Sequence, residues 1–158
     1  MGTTTLRGYN SRGYFGIGVH CPKTESNVGT LWRSAYQLGA SFVFTIEKRY
    51  KQQASDTLKT WKHIPLFHYD TFEDFYTHMP HDCQLIGIET GYTLITSFTH
   101  REREILLLGA EDHGLPNHIM WRCHALVTLP SINTDSYNVA VAGSLAMFHR
   151  YLTKAQGE

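Results

Sequence analysis

The sequence has no apolar run long enough to cross a membrane, few cysteines, few prolines and no surplus of charge of either sign. Its 158 residues carry 14 Lys and Arg against 14 Asp and Glu. That balance removes bulk attraction to a polyanion as an argument and leaves only a local basic patch open. The N-terminus holds no apolar stretch of the secretory kind, so the cytoplasm is the expected compartment and no membrane partner is expected. Cys21, Cys83 and Cys123 are odd in number and unpaired in spacing, which argues for a reducing environment and against a disulfide framework. No G-x-x-x-x-G-K-[ST] phosphate loop is present, and no G-x-G-x-x-G follows a strand. Internal repeats, linkers and low-complexity tracts are also missing. What remains, 42% hydrophobic and 18% charged, is the composition of a soluble globular protein. We expect one domain over residues 1–158, with residues 1–12 a loosely held arm whose Arg7 and Arg12 could touch a phosphate backbone.

Taken in order, short apolar runs alternate with helical patterns. Tyr14 to Val19 reads as a strand broken by Gly16 and Gly18, where small residues suggest a second backbone passing close by. Ser26 or Asn27 should cap a helix with Val28, Leu31, Trp32 and Ala35 on one face and Gly39 as its stop. Arg33 shares a different face with Gly29 and should point to a cleft or solvent. Ser41 to Ile46 is a second strand. Glu47 to Lys62 mixes Lys48, Arg49, Lys51, Lys59 and Lys62 with Tyr50 and Trp61, a pattern that fits nucleic-acid contact and equally fits a solvated excursion. Ile64 to Tyr69, interrupted by Pro65, reads as an edge strand. Thr71 to Asp74 has the form of a capping box opening a helix with Phe72, Phe75, Tyr76 and Met79 on one face. Gln84 to Thr90 should be a fourth strand ended by Gly91, with Thr93 to Thr99 a short helix. Glu104 to Leu108, nearly continuous in apolar residues, predicts a central parallel strand. A short helix should open at Pro116, a buried strand should run from Ala125 to Leu129, and a helix should open at Asp135 or Ser136. In that last helix Val141, Leu145, Phe148 and Leu152 form one apolar stripe, so the polar loop before it lies between two buried elements. Alternating strands and helices predict an α/β fold with a mostly parallel sheet flanked by helices. Ten histidines are scattered. His78, His81 and Cys83 come close, but a fourth zinc ligand is missing, so a solvated loop and no metal are expected.

Three segments carry potential chemistry. Asn27 to Ala35 is a loop entering a helix, Leu108 to Leu115 a strand entering a loop, and Leu129 to Ala142 a strand, a polar loop and a helix. Ligands of α/β sheets bind outside the carboxyl ends of strands. Gly109 and Gly114 let peptide groups approach a ligand edge. Glu111 offers a carboxylate, Ser136 and Asn138 short polar side chains near a helix start, and Arg33 a planar fork suited to phosphate. A ligand read by backbone groups, together with an arginine for a phosphodiester, suggests a nucleoside-type cofactor and a nucleic-acid substrate.

These segments resemble motifs 1, 2 and 3 of the SpoU (TrmH-like) branch of the SPOUT RNA methyltransferases. N-x-G-x-x-x-R-x-A is met by Asn27, Gly29, Arg33 and Ala35. L-G-x-E-x-x-G-L is met by Leu108, Gly109, Glu111, Gly114 and Leu115. The third pattern is met by Leu129, Pro130, Ser136, Asn138, Val139, Val141 and Ala142. The resemblance implies a C-terminal trefoil knot, a homodimer with its active sites near the interface, and S-adenosylmethionine as cofactor, leaving as S-adenosylhomocysteine. It implies methyl transfer to a ribose 2′-OH, of tRNA before rRNA, the alternative being a non-catalytic RNA-binding member. By similarity the cofactor would be held by Ile88, Glu89, Leu108, Gly109, Ala110, Glu111, Gly114, Leu129, Ser136, Tyr137 and Asn138. Arg33 would carry the chemistry, with Asn27, Glu111, Ser136 and Asn138, the rest of the catalytic set, positioning Arg33, the substrate or the loops. Tyr137 stands where Leu or Met is usual, and His149 where an acidic residue is frequent.

Overall fold

The computed structural model describes residues 13–50, 60–134 and 136–156. The N-terminal arm with Arg7 and Arg12, the basic residues Lys51 and Lys59, and Asp135 lie outside the described residues. Six strands form one sheet: β1 (Tyr14–His20), β2 (Phe42–Ile46), β3 (Leu66–Tyr69), β4 (Gln84–Leu94), β5 (Arg103–Leu108) and β6 (Ala125–Thr128), in the order β3-β2-β1-β5-β4-β6. Each pairing is parallel, as the alternation of elements predicts. Among the described residues four helices cover it: α1 (Glu25–Leu38), α2 (Phe72–Thr77), α3 (Asn117–Met120) and α4 (Val139–Gln156). Short 3₁₀ turns occupy Thr60–Lys62 and Ile95–Ser97, the latter within the expected short helix. No helix among the described residues is long and apolar enough to cross a membrane.

The strands are apolar on both faces because both faces are covered. Phe15, Ile17 and Val19 share a core with Leu31 and Ala35 of α1 and with Ala146 and Met147 of α4. Phe42, Phe44, Leu85, Ile105 and Leu107 share a second core with Phe72 and Phe75 of α2 and Ile119 of α3. β1 is continuous through its glycines. The rings of Phe42 and Phe44, rather than another backbone, lie where a Cβ at Gly16 or Gly18 would stand. Phe44 in turn stacks on Phe75 with ring centroids 4.4 Å apart.

Helix α1 buries the predicted face of Val28, Leu31, Trp32 and Ala35 and stops at Gly39, whose φ of 87° is the left-handed cap. Its N-cap is Thr24, not Ser26 or Asn27; the Thr24 hydroxyl accepts from the Asn27 amide, which leaves the Asn27 side chain free for other work. β4 does not end at Gly91. Ile88 and Thr93 both stand opposite Val127, so residues 89–92 bulge out and the strand resumes to Leu94. Gly91, at φ 87°, makes the turn within this bulge. β6 is an edge strand with only Val127 fully buried, not a strand buried along its length. His78 and His81 are exposed beside Asp74 and Asp82, whereas Cys83 is buried in the second core.

Two further corrections concern the last helix and its neighbour. Helix α4 starts at Val139, later than expected, because the Asn138 carboxamide oxygen accepts from the Ala140 and Val141 amides at 2.9 and 3.2 Å and caps the first turn. The stripe Val141, Leu145, Phe148 and Leu152 faces outward: Val141 is 47% and Phe148 48% exposed. The inward face is built from Val139, Ala140, Ala142, Ala146, Met147 and Arg150. Within the central strand, Glu104 is fully buried. Its carboxylate takes His100 at 2.5 Å, Arg150 at 2.8 Å and the Arg101 amide at 2.9 Å. Burial alone would push this carboxyl up; the His100 hydrogen bond, the two neighbouring cations and the amide outweigh it and hold the group below the usual glutamate range.

Candidate active site

A cavity of about 290 Å³ opens beside the bulge of β4 and the carboxyl end of β5, closed on its far side by the loop that follows β6. Its apolar floor is Ile88, Leu108, Leu129, Val139 and Ala142. Glu89, Thr90, Glu111, Ser136 and Tyr137 line its rim, and backbone of Gly109, Ala110 and Gly114 is exposed to it. An apolar floor with a few convergent polar groups, at strand carboxyl ends, is the arrangement of a small-molecule seat in an α/β sheet.

The loop after β5 keeps its shape by crossing back on itself. Ala110 and Gly114 form an antiparallel bridge, the Gly114 amide donating to the Ala110 carbonyl at 2.8 Å. A Cβ on Gly109 would stand against the Gly114–Leu115 backbone. Gly114 lies at φ 64°, and a Cβ there would strike the Glu89 carboxylate. That carboxylate accepts from the Leu115 amide at 2.7 Å and the Thr90 amide at 2.9 Å. Glu89 therefore lines the cavity as a staple between β4 and this loop. Thr128 completes the fixation: its hydroxyl donates to the Glu89 carbonyl at 2.6 Å and accepts from the Tyr92 amide at 2.8 Å.

A directional chain of hydrogen bonds joins the three segments. The Asn138 amide donates to the Asn27 side-chain carbonyl at 3.0 Å, and the Asn27 amide donates to the Glu111 carboxylate. The Tyr137 hydroxyl donates to the Pro130 carbonyl at 2.5 Å, closing the loop before α4 on itself. Lys23 reaches Asp112 at 2.7 Å, which raises the lysine pKa and lowers the aspartate pKa. Both partners are exposed, so this pair guides the loop more than it stabilises the fold.

The structure thus gathers most of the sequence-predicted residues and separates a few. Ile88, Glu89, Leu108, Gly109, Ala110, Glu111, Gly114, Leu129, Ser136 and Tyr137 all line one cavity. Asn27 and Asn138 stand behind Glu111 as its positioning partners and are not among the lining residues. Arg33 stands apart. It is exposed on the solvent side of α1, as its helical phase predicts, and outside the lining of its own chain's cavity. Sequence reasoning missed Thr90, Val139 and Ala142 in the lining, although Val139 and Ala142 sit inside the third motif. It also missed Thr128, for which a hydroxyl at the end of a strand gives no signal. In the basic stretch, Lys48 and Arg49 are exposed, Arg49 lies 3.7 Å from Asp70, and Tyr50 packs edge-on against Trp32.

Fold and cavity together define an α/β domain that seats a small ligand at the carboxyl edge of a parallel sheet. The profile of the SpoU rRNA Methylase family matches residues 15–148, and the chain belongs to that family. A putative tRNA (cytidine(34)-2′-O)-methyltransferase from Synechocystis sp. is 25% identical over 137 residues, covering 80% of this chain and 88% of that protein. A structure reported for the 2-OH methylation of C/U34 on tRNA is 26% identical, with a TM-score of 0.77 and 92% of both chains covered. An AdoMet-bound rRNA methyltransferase from Sinorhizobium meliloti shares the fold at 22% identity, with a TM-score of 0.78 over 89% of this chain. This chain spans 57% of the length of the Sinorhizobium protein.

Proposed function

We propose that this protein transfers the methyl group of S-adenosylmethionine to a ribose 2′-OH of tRNA, with residues 1–158 acting as one cytoplasmic methyltransferase domain. The observation that carries this reading is the convergence of three distant segments, through Asn138, Asn27 and Glu111, on one cavity of a SpoU-family chain. The two relatives named for tRNA position 34 support tRNA before rRNA as the substrate.

The cavity fits the cofactor in kind. Ile88, Leu108 and Leu129 offer an apolar seat for a flat ring, while peptide groups of Gly109 and Ala110, left bare by glycine, can read its edge. When bound, the cofactor supplies an electrophilic methyl group and leaves as S-adenosylhomocysteine. The protein's part is positioning and electrostatics. A ribose hydroxyl is a weak nucleophile until its proton is drawn away. Arg33 offers a planar guanidinium of five N–H donors, so its role is to grip the adjoining phosphate and stabilise charge developing on the ribose oxygen. Asn27 and Asn138 hold Glu111, and with it the rim that orients the reacting groups. Transfer of this kind needs no metal.

The same reading includes a homodimer and the trefoil knot. The apolar stripe of α4 begins at Val141, beside the cavity-lining Val139 and Ala142. Ser34 and Ser144 join α1 to α4 at 2.9 Å, so Arg33 shares the outer surface of this helix pair. A second copy seated there by two-fold symmetry covers the stripe and offers its Arg33 to the neighbouring cavity. For the knot, the support is the path of the chain: β6 lies at the sheet edge beyond β4, yet α4 returns to pack Gly143 against Leu31, Leu108 and Ile17.

The test is transfer from methyl-labelled cofactor to total RNA and to a tRNA fraction. Label should enter tRNA and survive alkaline hydrolysis as a cleavage-resistant dinucleotide, because a methylated 2′-oxygen cannot attack the adjacent phosphate. Label recovered on a base, or absent from RNA, refutes the assignment.

A further inference from the structure

On the opposite face of β1 from the α1–α4 layer, three donor side chains of different chemistry meet without a role in the methyl-transfer reading. His20 ends β1, and Ile46, its register partner, ends β2. Cys21 and Glu47 are the residues that follow these two strand ends. Both take positive φ, 53° and 76°, a region that non-glycine residues rarely occupy and that is costly unless the surroundings fix it. Backbone bonds do fix it. The Cys21 amide donates to the Ile46 carbonyl at 2.9 Å and the Glu47 amide to the Tyr69 carbonyl at 2.9 Å. The effect is to bring both side chains onto the imidazole. His20 Nε2 lies 3.3 Å from a Glu47 oxygen and 3.9 Å from the Cys21 sulfur, and the thiol donates to the other Glu47 oxygen at 2.5 Å. A nitrogen, a sulfur and a carboxylate oxygen thus lie within 4.8 Å of one another.

We propose that His20, Cys21 and Glu47 form a zinc site, with water in the fourth position. The donor set suits a borderline-soft divalent cation and excludes magnesium or calcium, which take oxygen ligands. Tetrahedral zinc with bonds of about 2.0 to 2.3 Å places its ligand atoms about 3.3 to 3.7 Å apart. The N···O and S···N separations already stand close to that spacing. Only the S···O pair is short, because the thiol proton bridges it. The Cys21 thiol is the donor in that pair, so its proton lies between sulfur and carboxylate. Metal binding expels that proton to solvent: the S–H bond breaks, a Zn–S bond forms, and the pair opens by about 1 Å. Thiolate and carboxylate then supply two negative charges against the ion's two positive ones, with a neutral imidazole, so the filled site is neutral. Solvent reaches the fourth position past Glu47, whose side chain is 47% exposed. His20 itself is nine-tenths buried, and among the described residues its Nδ1 has no hydrogen-bond partner. An ion held there would anchor the turn Cys21–Thr24 that carries Lys23 to Asp112 and caps α1.

The experiment uses the full chain, purified, stripped with chelator and titrated with zinc in two buffers of different ionisation enthalpy. One zinc per chain with about one proton released, and a raised melting temperature, is expected. Cobalt should give an intense thiolate charge-transfer band. Cys21→Ser should abolish the band and weaken zinc binding by more than about tenfold, and His20→Gln should weaken it similarly while the band shifts. Circular dichroism of the metal-free variants establishes that they fold, and Cys83→Ser should leave the band unchanged. Sub-stoichiometric binding, or a band that survives Cys21→Ser, overturns the proposal. Neither result bears on methyl transfer.

Discussion

Asn138 donates to Asn27 across 111 residues of sequence, at 3.0 Å, while its oxygen caps α4. One side chain thus starts a helix and begins the chain of bonds that ends on Glu111. The two duties can be separated. Asn138→Asp keeps the cap, because aspartate is as good an N-cap as asparagine, but turns the donor toward Asn27 into an acceptor. Stability should hold within about 1 kcal/mol while methyl transfer falls at least about tenfold. Asn138→Ala should lose both. Denaturant melts and single-turnover transfer rates on the two variants check this; equal behaviour would show that the cap is the whole role.

Arg33 is exposed and lies outside the lining of its own cavity. Arg33→Ala should change stability by no more than about 0.5 kcal/mol, leave cofactor affinity intact and abolish transfer. Calorimetry with S-adenosylmethionine beside the labelled-RNA assay separates these effects. Wild-type transfer by the variant removes Arg33 from the mechanism.

Two left-handed glycines make a controlled comparison. Gly91 and Gly114 lie at φ 87° and 64°, but a Cβ at Gly91 meets nothing within 4 Å, whereas one at Gly114 strikes the carboxylate that holds Leu115. Gly91→Ala should cost only the backbone strain, about 1 kcal/mol. Gly114→Ala adds displacement of Glu89 and should also lose cofactor binding, measurable by calorimetry. Similar affinities for the two variants would mean that Glu89 is not the staple of the loop.

The outward stripe of α4 predicts an assembly. Leu145→Glu with Phe148→Glu places charge on an exposed face and should cost an isolated chain little. In light scattering the mass should drop from two chains to one, with transfer lost in parallel. A wild-type protein already monomeric at assay concentration would remove the dimer from the mechanism.

Glu104 ties acid sensitivity to the core. Its folded pKa lies below the ordinary value of 4.5, so its contribution is complete above that value and is lost as the pH falls through the lower, folded one. Glu104→Gln leaves Arg150 buried beside a neutral amide and should destabilise by about 3–5 kcal/mol at neutral pH. The melting temperature should fall by roughly 10 °C. As the pH falls below 4.5 the wild type should lose stability more steeply than the variant.

What the sequence disclosed followed from period and spacing. The face of α1 was readable because only one of its faces is apolar. Helix α4 misled because it has two such faces: alanines and Met147 pack inward, while the larger Val141, Leu145 and Phe148 stand outside. Periodicity gives a stripe but not its direction, and large residues bias the reading toward burial. Thr24, Ser26 and Asn27 have similar capping chemistry, so the cap could not be chosen without backbone angles. Glu104 hid in an apolar run because its partners, His100 and Arg150, come from a loop and from a helix 46 positions on. The cavity lining was more legible than the helix ends. Glycines and short polar residues at strand termini mark where a backbone must come close to something.

Ile88 and Thr93 both face Val127, so the four positions between them are spliced out of the ladder. Glu89 and Tyr92 are tied to Leu115 and Thr128, but Thr90 and Gly91 between them can change chemistry while every strand keeps its alignment. Descendants of this chain can therefore retune the mouth of the cleft, and whatever enters it, without renegotiating its foundation.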